Sequence, residues 1–367
     1  MDLTRVRPVF DQVGPFLTVH CEVGRTTEDA QQQLEARWTT LRHDLEHQKL
    51  DNGLVEEIGS RLAENAHVAG EARRTLVATT GDQPQVVFDE VQAGHSWWPE
   101  TTDLSPLPDL SGWLTTTDRA VSLVLVVADR EGADIDVYRA LSAGVAQHRE
   151  VQGETFQITK VAEGDWAQKQ FQQSAENAWH HNAQEVADTV RSLAREHRPR
   201  LVVVAGDVRA RNDIAGQLEN LDATVVTTEA GGRAAGASDE ALWREVEVAV
   251  ADITATDDQA VAEQLSQARG QGQGAANGLD EVLDALAKSQ VDRLVLDLQA
   301  AAEKTVDPAK HPELAVPSGA ADAGELPADR VLVAAAALTD ASVTLLPSEL
   351  GRGGGVSALL RWSEPPG

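Results

Sequence analysis

The 367-residue sequence predicts an α/β protein of three domains. Three observations carry that reading. Apolar strand-like runs alternate with helical stretches through the middle of the chain, the pattern of a parallel or mixed sheet covered by helices. The pattern is broken by Pro99, Pro106 and Pro108, and again by Gly231-Gly232-Arg233-Ala234-Ala235-Gly236. The length also exceeds what one core usually serves. The expected division is an N-terminal α/β domain over 1–115, a middle domain over 116–235, and a C-terminal domain over 236–367. In the middle domain a mixed sheet is covered by helices, with a long helix after a projecting loop. The C-terminal domain reads as a small α/β sandwich.

The N-terminal elements follow from periodicity. In 16–23, Leu17, Val19, Cys21 and Val23 share one face, which predicts a strand. Helices are expected from Asp29 to Leu45 and from Leu54 to Ala66. Thr75–Thr79 and Gln85–Asp89 flank Gly81-Asp82-Gln83-Pro84, a hairpin signal.

The middle segment opens with the apolar run 120–128, and a second strand returns over 134–138. From about Ala167 to Arg195, Phe171, Ala175, Ala178, Val186, Val190 and Leu193 recur at three- and four-residue spacing, giving one buried stripe on a long helix. Leu201–Asp207 reads as an apolar strand, and Asp207 at its end can cap a helix from Val208 to Leu218. A strand over 223–228 completes the segment. The third segment predicts helices at about 239–251, 257–268, 278–286 and 331–338, with strands at 291–298, 343–346 and 356–362. The stretch 299–327, rich in Ala, Pro and Gly, reads as a long mobile loop.

Composition limits the function. The formal charge of −28 repels phosphate backbones and suits basic protein partners, although a local basic patch can sit on an acidic body. No apolar run is long enough to span a bilayer, and the N-terminus lacks the features of a signal peptide. Cys21 is the one cysteine, so no intrachain disulfide forms. A cytoplasmic location is the expectation.

Three stretches carry a family resemblance. The strand pair 120–138 is followed by Glu163-Gly164-Asp165-Trp166, a turn that launches the long helix with Gln172-Gln173-Ser174-Ala175-Glu176-Asn177. Leu201–Asp207 is followed by a helix. Gly278–Leu286 runs into Val291–Val295. The N-terminal third matches only by order of elements, with Gly70-Glu71-Ala72-Arg73-Arg74 before a strand. In order and spacing these resemble the class-1 release factor and Pelota superfamily, in the bacterial and archaeal branch that includes the actinobacterial relatives of the ribosome hibernation factor Balon. The resemblance implies tRNA mimicry: an N-domain toward the decoding centre, a middle domain toward the peptidyl-transferase centre, and a C-domain toward a protein partner. It implies the ribosome and its rRNA as partners, with elongation factor Tu or another translational GTPase. It also implies occupation of the A site as a hibernation or stress factor.

The same resemblance bears on chemistry. The family's turn carries Gly-Gly-Gln, whose glycines let the backbone approach an ester and whose glutamine positions water. Here Gly164 remains, Asp165 departs, and Trp166 stands at the glutamine position. No catalytic residue is therefore expected, and the reading leans away from an enzyme. One alternative is a peptidyl-tRNA or aminoacyl-tRNA ester hydrolase using Gln168. Another is an acidic stress-related scaffold that does not bind ribosomes. An aromatic at a loop tip can stack on an RNA base, so Gly164, Asp165 and Trp166 are candidate ribosome contacts. Arg73 and Arg74 could grip rRNA phosphates, or could be ordinary surface arginines; both readings stand open. Arg209 and Arg211 are weaker candidates of the same kind.

Other motifs read as structure. His180, His181 and Glu185 share a helix face but lack further ligands, so no metal or other cofactor is expected. His20 and Cys21 point to opposite faces of a strand and cannot pair as a nucleophile. Gly270-Gln271-Gly272-Gln273-Gly274 is a connector, and neither Gly231–Gly236 nor Gly351–Gly355 matches a nucleotide loop.

Overall fold

A computed structural model describes the backbone of residues 1–24, 30–45, 48, 50–64, 72–93, 98–141, 143–153, 165–233, 239–351 and 353–362; the side chains of 30, 31, 44, 93, 119, 165–175 and 239 fall outside the description. The fold is mixed α/β with several sheets. The chain forms two compact units, one of residues 1–119 with 255–367 and one of residues 120–254.

The first unit begins with helix α1 (Arg7–Phe10), strand β1 (Phe16–Glu22), helices α2 (Ala30–Leu45) and α3 (Asn52–Ala63), strands β2 (Ala72–Thr79), β3 (Gln85–Ala93) and β4 (Thr101–Ser105), and helix α4 (Ser111–Arg119). The strands form an antiparallel sheet in the order β3-β2-β1-β4. Its hairpin joins Thr79 to Gln85, where the turn residues place it. Leu17, Val19 and Cys21 lie on one face beneath α2 and α3, with Ile58 and Leu62. Asp51 caps α3 by accepting from the Leu54 amide at 2.9 Å.

The second unit holds β5 (Leu123–Ala128), β6 (Gly132–Tyr138), β7 (Gln147–Gln152), helix α5 (Asp165–His197), β8 (Leu201–Gly206), helix α6 (Val208–Gln217) and β9 (Thr224–Thr228). The sheet order is β7-β6-β5-β8-β9, with β5, β8 and β9 parallel and β6 and β7 antiparallel. Central strands buried on both faces explain the continuous apolar runs. Val124, Val126, Val202 and Val204 meet Val186, Val190 and Leu193 of α5 and Ile214 of α6. Leu123, Leu125, Leu201 and Val203 meet Leu242, Val246 and Ala249 on the other face. Those last residues belong to helix α7 (Asp239–Gly270). It is one helix of 32 residues, not the expected two. No Gly or Pro falls between 251 and 257, and the Thr254 hydroxyl bonds back to the carbonyl of Val250 at 3.3 Å.

The chain then returns to the first unit through β10 (Ala275–Asn277), α8 (Leu279–Ala287), β11 (Val291–Leu296), α9 (Leu298–Ala302), β12 (Thr305–Val306), α10 (Ser318–Ala321), β13 (Leu326–Pro327), α11 (Ala328–Leu338), β14 (Ser342–Leu345), α12 (Ser348–Gly351) and β15 (Val356–Leu360). The sheet order is β10-β15-β11-β14. The stretch expected as a loop over 299–327 is instead built from short elements. Val306, Leu314, Ala320 and Leu326 anchor it in the core, and β12 pairs with β13. These four residues are too widely spaced to show a period, although each is buried.

Helix α11 decides how the first unit is assembled. It is apolar on every side, with Val331 to Ala337 all buried, so every side must be covered. Val6, Val9 and Phe10 of the N-terminal segment share its core, as do Trp113 and Leu114 of α4. Arg330 bonds Asp103 at 2.7 and 3.0 Å, and Ser111 Oγ donates to Asp329 at 3.2 Å. The first and last segments of the sequence thus share one core. Among the described residues no helix is long and apolar enough to cross a membrane.

Candidate functional site

The second unit gathers polar side chains where β5 and β8 end. After Ala128 the chain turns through Asp129, whose carboxylate accepts from the amides of Glu131 at 2.8 Å and Gly132 at 2.9 Å. Gly132 has no room for a side chain, since a Cβ would stand 1.9 Å from the Val151 carbonyl oxygen. β8 ends at Gly206 with φ of 105°, and a Cβ there would stand 2.0 Å from the Ala128 oxygen. Asp207 then caps α6 by accepting from the amides of Arg209 and Ala210 at 3.0 and 3.3 Å. Partial burial pushes the Asp207 pKa up. The two amides and Arg130 outweigh it and hold the group below the usual carboxylate range.

Arg130 leaves the same turn. Its guanidinium lies 4.8 Å from the ring centroid of Trp179 on α5, and its Nε is 3.5 Å from Asp207. Nearly one turn along α5, buried Asn182 donates to the Arg130 carbonyl at 3.0 Å. Arg233, beyond β9, reaches Asp129, Asp134 and Glu150 at 3.2, 3.0 and 3.3 Å. Between α5 and α6 lies a cleft of about 120 Å³. Ala183, Val186, Ala210 and Ile214 form its apolar part, with Glu176, Trp179, Arg209 and Asp213 around them.

Helix α5 is the long element expected after the Gly164 turn. It has 33 residues, so its length is about 50 Å. Its described buried stripe runs from Ala178 to Leu193. Gly164 lies outside the described residues. Asp165, Trp166 and Gln168 fall in the first turn of α5, and their side chains also lie outside the description.

Arg73 and Arg74 are both on β2, and both are buried. Arg74 forms a two-pronged bond to Asp89, with Nε–Oδ1 at 2.7 Å and Nη2–Oδ2 at 2.8 Å. Arg73 lies 3.6 Å from Glu22 and 3.8 Å from Glu100. Both charges are spent on carboxylates of their own unit. Arg211 is buried as well, donating to the Thr228 carbonyl at 3.1 Å and to Glu229 at 2.7 Å, whereas Arg209 is exposed.

His181 lies 3.6 Å from Glu185 on an exposed face of α5, and no group of three metal-ligating side chains occurs among the described residues. Cys21 is buried, and burial reinforced by Glu100 pushes its thiol up to about 12. His20 Nδ1 lies 2.9 Å from Thr75 Oγ1.

The grouping of Arg130, Trp179, Asn182 and Asp207 has no signal in sequence spacing. The sheet brings the three segments together. One local cue existed: Asp129-Arg130-Glu131-Gly132 between two strands is turn chemistry.

Comparison with known proteins bears on this unit most directly. Residues 122–271 match the family model described as bacterial archaeo-eukaryotic release factor family 2. An uncharacterized protein of Mycobacterium tuberculosis is 28% identical over 296 residues, covering 80% of this chain and 77% of that protein. Among solved structures, ribosome-bound archaeal Pelota is 18% identical with a TM-score of 0.44, covering 80% of this chain and 78% of Pelota. Saccharomyces cerevisiae Dom34, a translation termination-like factor, is 11% identical with a TM-score of 0.43, and 81% of each chain is covered.

Proposed function

We infer a role in translation from the premise that the chain belongs, through residues 122–271, to the bacterial branch of the release factor and Pelota superfamily. The protein binds the ribosome and occupies the A site as a hibernation or stress factor, without hydrolysing peptidyl-tRNA. The observation that carries this is the long helix α5, which begins at Asp165, with Trp166 where the resemblance places the glutamine of the related factors. A rigid rod can carry a small loop into a narrow cavity, and a tryptophan there stacks on bases but lacks the acceptor oxygen of a glutamine amide. In this reading Gly164, Asp165 and Trp166 make the RNA contact, and the internal ion pairs of Arg73 and Arg74 argue against those two arginines as phosphate contacts. In this reading the C-terminal segment faces a translational GTPase, and the protein works in the cytoplasm.

The test is sedimentation of the full chain with ribosomes from growing and from starved cells, followed by imaging of the complex. Co-sedimentation in starved cells, lost on Trp166→Ala, is the expected result. Absence from the ribosome fraction in every condition favours an acidic scaffold. Release of peptide from peptidyl-tRNA, abolished by Gln168→Ala, would replace the proposal with a hydrolase.

A further inference from the structure

We propose that the cleft between α5 and α6 docks a basic protein segment that seats one aliphatic side chain. The inference does not depend on ribosome binding. The apolar part of the cleft is Ala183, Val186, Ala210 and Ile214, and its volume is about 120 Å³. An engineered apolar cavity of roughly 150 Å³ accommodates benzene, so one leucine-sized group is the right scale. Trp179 forms one wall. The 4.8 Å approach of Arg130 shows that this ring already receives a guanidinium.

The charges decide the class of partner. Arg130 is held by Trp179 and Asp207, and Asp129 is held by Arg233 and its own turn. Glu176 on α5 and Asp213 on α6 are exposed and make no ion pair among the described residues. They stand on the two helices that flank the apolar part, where lysines or arginines on either side of a seated aliphatic group would meet them. Arg209 is a single opposing cation. The charge of −28 on the whole chain adds a field that attracts basic chains and repels RNA. An RNA strand would have to bring its phosphates past Glu176 and Asp213.

The experiment uses the full chain and a fluorescein-labelled peptide, Lys-Lys-Gly-Leu-Gly-Lys-Lys. Three other probes accompany it: the same peptide with glycine for leucine, the same peptide with glutamate for lysine, and a labelled oligouridine. Anisotropy reads the affinity, and NMR of the Trp179 indole N–H reads the location. The lysine–leucine peptide should shift the Trp179 resonance and bind more tightly than the other three probes. The double variant Glu176→Lys with Asp213→Lys should weaken it about tenfold or more. Both substitutions are at exposed helix positions, and an unchanged melting curve confirms the fold. Equal binding of the glycine-substituted peptide, indifference to the charge reversal, or preferential binding of oligouridine at Trp179 would each overturn the proposal.

Discussion

Arg130 and Trp179 lock the β5–β6 turn to helix α5. The guanidinium sits over the indole at 4.8 Å, and the same residue's carbonyl accepts from Asn182 at 3.0 Å. The side-chain half of this lock is about half exposed, so its strength is that of a surface cation–π pair. A double-mutant cycle of Arg130→Ala and Trp179→Ala, read by urea unfolding, should give a coupling of ~0.5–1 kcal/mol. Strict additivity of the two variants would show that the contact contributes nothing.

The buried half of the lock requires Gly153. A Cβ at that position would lie 2.1 Å from Asn182 Cγ. Gly153→Ala should therefore destabilise the second unit by ~1–3 kcal/mol. Adding Asn182→Ala should relieve the clash, so thermal melts of the double variant should show less than the sum of the two single losses.

Arg74 bridges β2 and β3 within one sheet. Its partner Asp89 has its pKa lowered. Partial burial pushes that pKa up, and the bonds and charges of Arg74 and Arg61 outweigh it. Arg74→Met removes the two-pronged bond and leaves Asp89 with Arg61 alone at 3.0 Å. The expected loss is ~2 kcal/mol, below that for a fully buried pair because Arg61 remains. Denaturant unfolding checks it. In ribosome sedimentation the refolded variant should behave as wild type, because these charges face carboxylates of their own sheet.

Two buried groups make stability depend on pH in opposite directions. Burial, with the Asp109 charge adding to it, raises Asp329 to about 6. Its neutral form is favoured in the fold. Its contribution is therefore full below the unfolded carboxylate pKa of about 3.9 and is lost as pH rises through about 6, an effect of ~3 kcal/mol. Burial, with Arg73 adding to it, lowers His20 to about 4. Its contribution is full above about 6.5 and is lost as pH falls through about 4, again ~3 kcal/mol. Asp329→Asn should raise the melting temperature at pH 8, and the gain should vanish near pH 4. His20→Gln should flatten the loss below pH 6. A uniform effect of Asp329→Asn across that range would rule out the buried charge as its cause.

What could be read without coordinates was local. The apolar runs at 123–128 and 201–206 marked central strands, and the stripe through Ala178, Val186, Val190 and Leu193 marked one face of a long helix, because alternation and 3.6-residue spacing are written into consecutive residues. The polar edge strands β4 and β7 escaped notice because a strand with one neighbour need not be apolar. The sequence placed Arg73 and Arg74 just before a strand, whereas both lie within β2. It could not say that Glu22 stands opposite Arg73 or that Asp89 faces Arg74, since register is set by which strands pair.

The sequence by itself determined the class of fold, the central strands of the second unit and the long helix α5, all consequences of neighbours along the chain. Only the tertiary structure decided that residues 1–119 and 255–367 share one core, that the two N-terminal arginines are neutralised internally, and that Arg130, Trp179 and Asp207 meet beside a cleft. Those outcomes depend on long-range burial: a helix as apolar as α11 must be enclosed, and a buried charge must find a partner wherever the fold supplies one.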